Sequence, residues 1–299
     1  MLAAERKTIT QKDFENRFKG DFMRVFMRYP EGKAKALTLS YDDGYVEDIR
    51  LIETLKPYGI KATFNINSGM FSDEDAVSNK RMSKKQAKET YTNSGHEIAS
   101  HALTHAFLDK LPLHLAINEV LEDRKNLEEM FGCVVRGFAY PYGVYNDEVV
   151  DMLKGVGIAY ARTINSTCRF SLPEDWLRLT PTCHHKLSRL SELADEFLAA
   201  NPNADKARRA PMLFYMWGHS YEFCRENNWE ILEDFAKKMG NREDIWYATN
   251  IELYNYVAAY NSLKFSADAS FVFNPSALTV WFEKNGTLHQ VHANETIRI

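Results

Sequence analysis

Ala36-Leu37-Thr38-Leu39-Ser40-Tyr41-Asp42-Asp43-Gly44 runs from an apolar segment into two adjacent carboxylates and a glycine. A short apolar run bounded by turn residues reads as a buried strand, so the two acids fall where a strand gives way to a loop. An Asp-Asp-Gly also suits a plain turn or a helix cap. Further along, His101-Ala102-Leu103-Thr104-His105 follows another strand-like segment. If it begins a helical turn, residues i and i+4 share a face and both imidazoles can reach one cation. With nine histidines in the chain, such a pair can equally be two unrelated residues. A third ligand from another element would complete an open metal site.

Outward from residues 36–40 the pattern alternates. Strand-like runs occur at 60–66, 96–100, 134–140, 157–163, 178–184, 211–217 and 244–248. Helical runs at 45–57, 83–93, 113–131, 146–155, 188–200, 228–239 and 250–260 separate most of them, the last opened by Thr249-Asn250-Ile251-Glu252 with capping-box spacing. This rhythm predicts βα units and a parallel sheet. No Gly-x-Gly-x-x-Gly follows the first strand, which favours a barrel over an open doubly wound sheet. The expected fold is therefore α/β, a distorted, seven-stranded, TIM-like (β/α) barrel over residues 34–261. Residues 1–33 are polar and read as an N-terminal lead-in. Residues 262–299 change character: strand-like runs around Asn285-Gly286, a strong hairpin signal, predict a small β appendage. That appendage is expected to pack on the barrel or to form a homo-oligomer interface.

A chain of 299 residues, 45% hydrophobic, can bury one large core. Its net charge of −4, with lysines and arginines dispersed, offers no basic field, so no nucleic-acid partner is expected. No apolar stretch approaches the roughly 20 residues needed to span a bilayer, and residues 1–7 lack the apolar core of a signal peptide. The chain reads as cytoplasmic as it stands, and as secreted or periplasmic if a leader was removed. Cys133, Cys168, Cys183 and Cys224 form no C-x-x-C pair, which argues against a zinc knuckle and a dense disulfide framework; buried free thiols are expected.

Two further segments end strands at the same side. Arg136-Gly137-Phe138-Ala139-Tyr140-Pro141-Tyr142-Gly143 closes the fourth, and Phe214-Tyr215-Met216-Trp217-Gly218-His219-Ser220 closes a late one. In barrels, active sites gather at the C-terminal strand ends. Together with Ser40–Gly44 and Ser100–His105, in this order, the segments resemble the polysaccharide deacetylase family, the NodB-homology carbohydrate esterases. The likeness covers roughly residues 34–260.

The resemblance implies a NodB-type barrel and a hydrolase that removes an acetyl group from the amide nitrogen of an N-acetylated sugar or polysaccharide. It implies Asp43, His101 and His105 as ligands of one divalent metal, zinc foremost, with cobalt, nickel or manganese also compatible with the donor set. It makes Asp42 the general base, His219 the general acid and the Tyr142 backbone N–H an oxyanion donor. Tyr140, Pro141 and Trp217 are the candidate substrate-binding residues, and for aromatic rings near barrel strand ends core packing is an equal alternative. The chain departs from the family pattern where an arginine usually stands two residues before Pro-Tyr-Gly, here Ala139. Arg136, Arg162 and Arg178 are the candidates to orient Asp42 instead. Asp175-Trp176 is one candidate for the acidic-Trp motif that tethers the histidine, and Glu222, three residues past His219, is another candidate to orient that ring, with a solvated acid as its alternative. Adjacent residues of a strand face opposite sides, so His184 and His185 are expected to diverge. An O-acetyl (xylan-type) esterase or small-amide hydrolase could use the same site, and a non-catalytic glycan-binding protein could keep the barrel without turnover.

Overall fold

The structure, a computed structural model, describes residues 24–204 and 210–299, so most of the expected lead-in lies outside the described residues. Strand β1 (Val25–Arg28) precedes β2 (Lys35–Asp42), whose eight residues are all buried. A strand buried on both faces belongs at the centre of a parallel sheet, and β2 occupies that place. It is followed by β3 (Ala62–Ile66), β4 (Glu97–Ser100), β5 (Gly137–Ala139), β6 (Tyr160–Arg162), β7 (Cys183–His184), β8 (Met212–Gly218) and β9 (Ile245–Tyr247). The sheet order is β6-β5-β4-β3-β2-β8-β7, parallel throughout. β8 pairs with β2 from Lys35 to Tyr41, while β9 takes Lys35–Leu37 and β3 takes Leu39–Asp42. Helices α1 (Asp48–Leu55), α2 (Lys84–Tyr91), α3 (Leu113–Phe131), α4 (Asp147–Gly155), α5 (Leu190–Ala199), α6 (Ser220–Glu226), α7 (Glu230–Met239) and α8 (Asn250–Asn261) complete the layer.

This is the distorted (β/α) barrel expected, and the distortion has a local cause. The run 178–184, expected as one strand, divides: Leu179 bridges Arg162 on β6, whereas Cys183 and His184 pair with Met216 and Trp217 on β8. The segment thus crosses the seam between the two sides of the sheet. Pro181 lies between the two contacts and has no N–H for a continuous ladder. The expectation also missed β1 and the short helix α6.

Leu37, Leu39, Phe64, Phe214, Leu232 and Phe235 belong to one buried cluster between sheet and helices. Each such side chain contributes ~1.5–3 kcal/mol on burial. The interior also holds a polar network: Thr38 Oγ1 donates to Asn250 Oδ1 (2.8 Å), Asn250 Nδ2 to the Tyr215 hydroxyl (2.7 Å), and Thr63 Oγ1 to Glu97 Oε2 (2.8 Å). Ile251 N also donates to Glu97 Oε2 (2.8 Å), which ties the start of α8 to the strands.

The tail forms β10 (Lys264–Phe265), β11 (Phe271–Phe273), β12 (Val280–Lys284), β13 (Thr287–Val291) and β14 (Thr296–Arg298), in two three-stranded sheets. Asn285 and Gly286 turn between β12 and β13 with φ of 52° and 88°, the left-handed pair this hairpin requires. β1 joins the same sheet by pairing with β12. The tail packs on α8: Ala259 is buried with Val272, Val280, Phe282 and Val291, and the Tyr256 hydroxyl donates to Arg28 O (2.6 Å). All four cysteines are free, but only Cys183 is buried; Cys133 and Cys168 are exposed, against expectation. No helix among the described residues is long and apolar enough to cross a membrane.

Asp48, fully buried in the first turn of α1, accepts a hydrogen bond from the Tyr91 hydroxyl at 2.5 Å. Burial pushes its pKa up to about 7. A carboxyl raised in the folded state favours folding below its unfolded pKa, and that contribution is lost as pH rises through about 7. Asp48→Asn should therefore gain on the order of 2 kcal/mol relative to the unaltered protein between pH 5 and pH 8. Urea unfolding at the two pH values measures this, and a pH-independent difference would contradict it.

Candidate active site

The ends of β2, β4, β5 and β8 meet on one rim, and the chain leaves three of them through left-handed backbone. Asp43 has φ 82°, Ala102 62°, His105 58° and Tyr142 58°. Such values are uncommon outside glycine and concentrate where function constrains the backbone. They also correct one expectation: His101–His105 is not a helical turn. Asn67 Nδ2 donates to His101 O and to Ala102 O, the latter at 2.7 Å, so those carbonyls are not helical acceptors. The two rings still come together, with centroids 4.7 Å apart.

Ligand atoms of Asp43, His101 and His105 lie within 4.8 Å of one another. His105 Nε2 stands 3.7 Å from Asp43 Oδ1. His101 Nδ1 faces Ala139 O at 2.8 Å, which assigns the proton to Nδ1 and leaves the Nε2 lone pair toward the acids. Burial lowers both histidine pKa values, His105 to about 4, so both rings are neutral near pH 7. Two neutral imidazoles and a carboxylate are a donor set that suits a divalent cation.

Asp42 has different partners. The Arg162 guanidinium bonds to its Oδ2, and Asn65 Nδ2 donates to Oδ1 at 2.8 Å. Both Asp42 and Arg162 are buried. Burial would raise the Asp42 pKa, but Arg162, then His101, His219 and Asn65, outweigh it and hold the carboxyl below its ordinary value. The guanidinium also lies 4.4 Å over the Trp217 ring. Of the three candidate arginines, only Arg162 meets Asp42. Arg136 lies 5.6 Å over the Tyr254 ring, and Arg178 pairs with Asp147 (2.6 Å) and Asp175 (2.5 Å).

His219 Nε2 faces the acids, 4.0 Å from Asp42 Oδ2 and 3.9 Å from Asp43 Oδ2, while Nδ1 is 3.5 Å from Glu222 Oε2. Burial depresses the ring's pKa, yet Glu222 and the two aspartates more than reverse this and raise it. Glu222 thus stands where the acidic-Trp motif was expected. Asp175 instead caps Leu177 N (2.9 Å) and pairs with Arg178. His184 and His185 do not diverge: their Nε2 atoms lie 3.2 and 3.3 Å from Glu222 Oε2, because β7 ends at His184 and strand alternation stops there. Gly218 permits this crowding, since a Cβ there would sit 2.0 Å from His185 Nδ1. His184, His219 and Glu222 also bring ligand atoms within 4.8 Å of one another. However, His184 Nδ1 accepts from Lys186 N (3.1 Å), so its proton is on Nε2, and Lys186 Nζ takes Glu222 Oε1 (2.9 Å). That cluster holds Glu222 behind His219, whose backbone N donates to Glu222 Oε2 at 3.4 Å.

Tyr142 lies on the rim, and its N–H makes no hydrogen bond among the described residues. The substrate-binding expectation needs correction: Tyr140 is 1% exposed with its hydroxyl on Leu177 O (2.8 Å), and Pro141 is buried, so neither offers a face to a sugar. Trp217 is nearly buried beneath Arg162. The exposed rings are Tyr142 (49%) and Phe107 (46%), stacked 3.8 Å apart.

A family model for polysaccharide deacetylase matches residues 29–161, the part of the chain that carries Asp42, Asp43, His101, His105 and Tyr142. Over that segment, which is less than half of the chain, the sequence is similar to the polysaccharide deacetylase family. The chain is 26% identical over 124 residues to "Putative polysaccharide deacetylase YxkH" of Bacillus subtilis (strain 168), covering 41% of this chain and 42% of that one. It is 25% identical over 164 residues to the chitooligosaccharide deacetylase of Sinorhizobium fredii (strain NBRC 101917 / NGR234), covering 53% and 67%. The chain thus spans less than half the length of the first relative. Its fold agrees with the crystal structure of a "putative polysaccharide deacetylase from Mycobacterium smegmatis", at TM-score 0.56 and 16% identity over 78% of this chain and 93% of that one.

Sequence reasoning passed over Asn65, Asn67 and Arg81. The first two had a signal, since Phe64-Asn65-Ile66-Asn67 places amides in and just past a strand buried along its length. Arg81, which bonds Asp43, had none. For the Arg162–Asp42 pair, Arg162→Met should destabilise the fold by roughly 3–5 kcal/mol by leaving a buried carboxylate unpaired. Adding Asp42→Asn should recover part of that loss in urea unfolding; no recovery would mean the pair is not the source.

Proposed function

We propose that the protein is a metal-dependent hydrolase that removes an acetyl group from the amide nitrogen of an N-acetylated sugar or glycan. The observation that carries this reading is the division between two neighbouring acids: Asp43 faces His105, while Asp42 is bound by Arg162 and Asn65. Asp43, His101 and His105 would hold the cation. Bound there, it would supply Lewis acidity for the acyl carbonyl and would bring the pKa of a water toward 7, so that a carboxylate held below its ordinary range could serve as base.

The chain's own residues supply the proton transfers. Asp42, kept charged and oriented by Arg162, takes the proton of the attacking water. The Tyr142 N–H, on a backbone fixed by Pro141, donates to the oxyanion as the carbonyl becomes tetrahedral; one such donor is typically worth about 10²–10³ in rate. His219, with its pKa raised and Nδ1 facing Glu222, is placed to protonate the leaving nitrogen from Nε2. The family match and the chitooligosaccharide deacetylase relative support the substrate class.

Acetate release tests the reading directly. Zinc-loaded protein should release acetate from N-acetylglucosamine oligomers or peptidoglycan, lose activity to a chelator and regain it on adding zinc, cobalt, nickel or manganese. Asp42→Asn should retain metal and lose at least about 10²-fold in turnover. Metal-loaded protein that released no acetate from any of these would overturn the proposal, and release from acetylated xylan alone would shift it to ester hydrolysis.

A further inference from the structure

Arg81 has no part in the mechanism above, yet it bonds Asp43 directly. The segment before α2 lies antiparallel to the loop after β2: Val46 N donates to Lys80 O, and Met82 N to Gly44 O, each at 3.0 Å. This lays the Arg81 side chain, 15% exposed, over the end of β2. Nη1 donates to Asp43 O (2.6 Å) and Asn67 Oδ1 (2.8 Å), and Nη2 donates to Asp43 Oδ1 (2.9 Å). Asn67 Nδ2 in turn donates to His101 O and Ala102 O. A continuous set of hydrogen bonds therefore runs from the Asp43 carboxylate and carbonyl, through a guanidinium and an amide, to the turn that carries His101.

Both ends of that chain are left-handed. Asp43 has φ 82° and Ala102 φ 62°. Non-glycine residues persist there only when their surroundings over-determine the conformation, and Arg81 and Asn67 supply those bonds. The guanidinium is suited to this because its planar fork can reach a carboxylate, a carbonyl and an amide oxygen together, which an ammonium cannot.

We propose that Arg81 is a positioning residue for the metal site: it fixes Asp43 and, through Asn67, couples it to His101, so that the donor set is formed before a cation arrives. This rests on the reading of Asp43, His101 and His105 as ligands. Arg81 acts on the site in two opposed ways, and their signs differ. As a positive charge near Asp43 it repels a cation, so removing the charge alone would tighten binding. As a clamp it holds ligand geometry, so removing it loosens binding, and loss of an outer partner of a metal ligand typically costs about 10–100-fold in affinity.

Zinc affinity measured by competition with a chromophoric chelator separates these. Arg81→Ala should bind zinc at least about 10-fold more weakly than the unaltered protein, and Arg81→Lys should fall between the two. Unchanged or tighter binding by Arg81→Ala would overturn the proposal. If circular dichroism shows that Arg81→Ala does not fold, Arg81→Lys decides: weaker binding supports the clamp, and equal or tighter binding overturns it. An unaltered protein that binds no zinc would remove the metal reading itself, whereas one that binds zinc as well as Arg81→Ala does would remove only the role of Arg81.

Discussion

Arg162 and Asp42 meet across the interior although they sit on β6 and β2, which are separated in the sheet by β5, β4 and β3. In a flat sheet, four spacings of about 4.8 Å would hold them roughly 19 Å apart. Their contact requires the sheet to curl until its distant strands face each other. Each group alone would carry a desolvation penalty of several kcal/mol at that depth, so the curl and the pair support each other. The seam left by this incomplete closure is crossed by the segment from Leu179 to His184, which also brings His184 and His185 to Glu222.

Charge within the site follows the same economy. Asp42 has Arg162, and Asp43 has Arg81. His219 faces acids on both sides, with Glu222 at Nδ1 and the two aspartates near Nε2, while His101 and His105 are kept neutral by burial. The pKa values of neighbouring imidazoles are therefore moved in opposite directions. The difference arises from local partners: an imidazole beside three carboxylates is pulled up, and one packed against another imidazole in a dry pocket is pushed down.

The β appendage shows the limits of reading in chain order. The hairpin at Asn285-Gly286 was legible because a two-residue left-handed turn demands those residues. That β1 belongs to the same sheet was not legible, because a strand pairing over more than two hundred residues leaves no local mark. α6 was missed because its residues continue directly from a strand end and make less than two full turns of helix.

Periodicity and punctuation by themselves determined the alternation of strands and helices, the parallel class of the sheet and the placement of Asp42, Asp43, His101, His105, Tyr142 and His219 at strand ends. These are local properties, since burial of a strand and the turn that ends it are written within a few residues. Only the tertiary structure decided which arginine meets Asp42, that Glu222 rather than Asp175 stands behind His219, that Tyr140 and Pro141 are wall rather than cleft, and that Arg81 grips Asp43. Those outcomes depend on how far the sheet curls and on where Pro181 breaks the seam strand. A buried charge accepts whichever partner the closed backbone brings within reach, and sequence spacing carries no record of that distance.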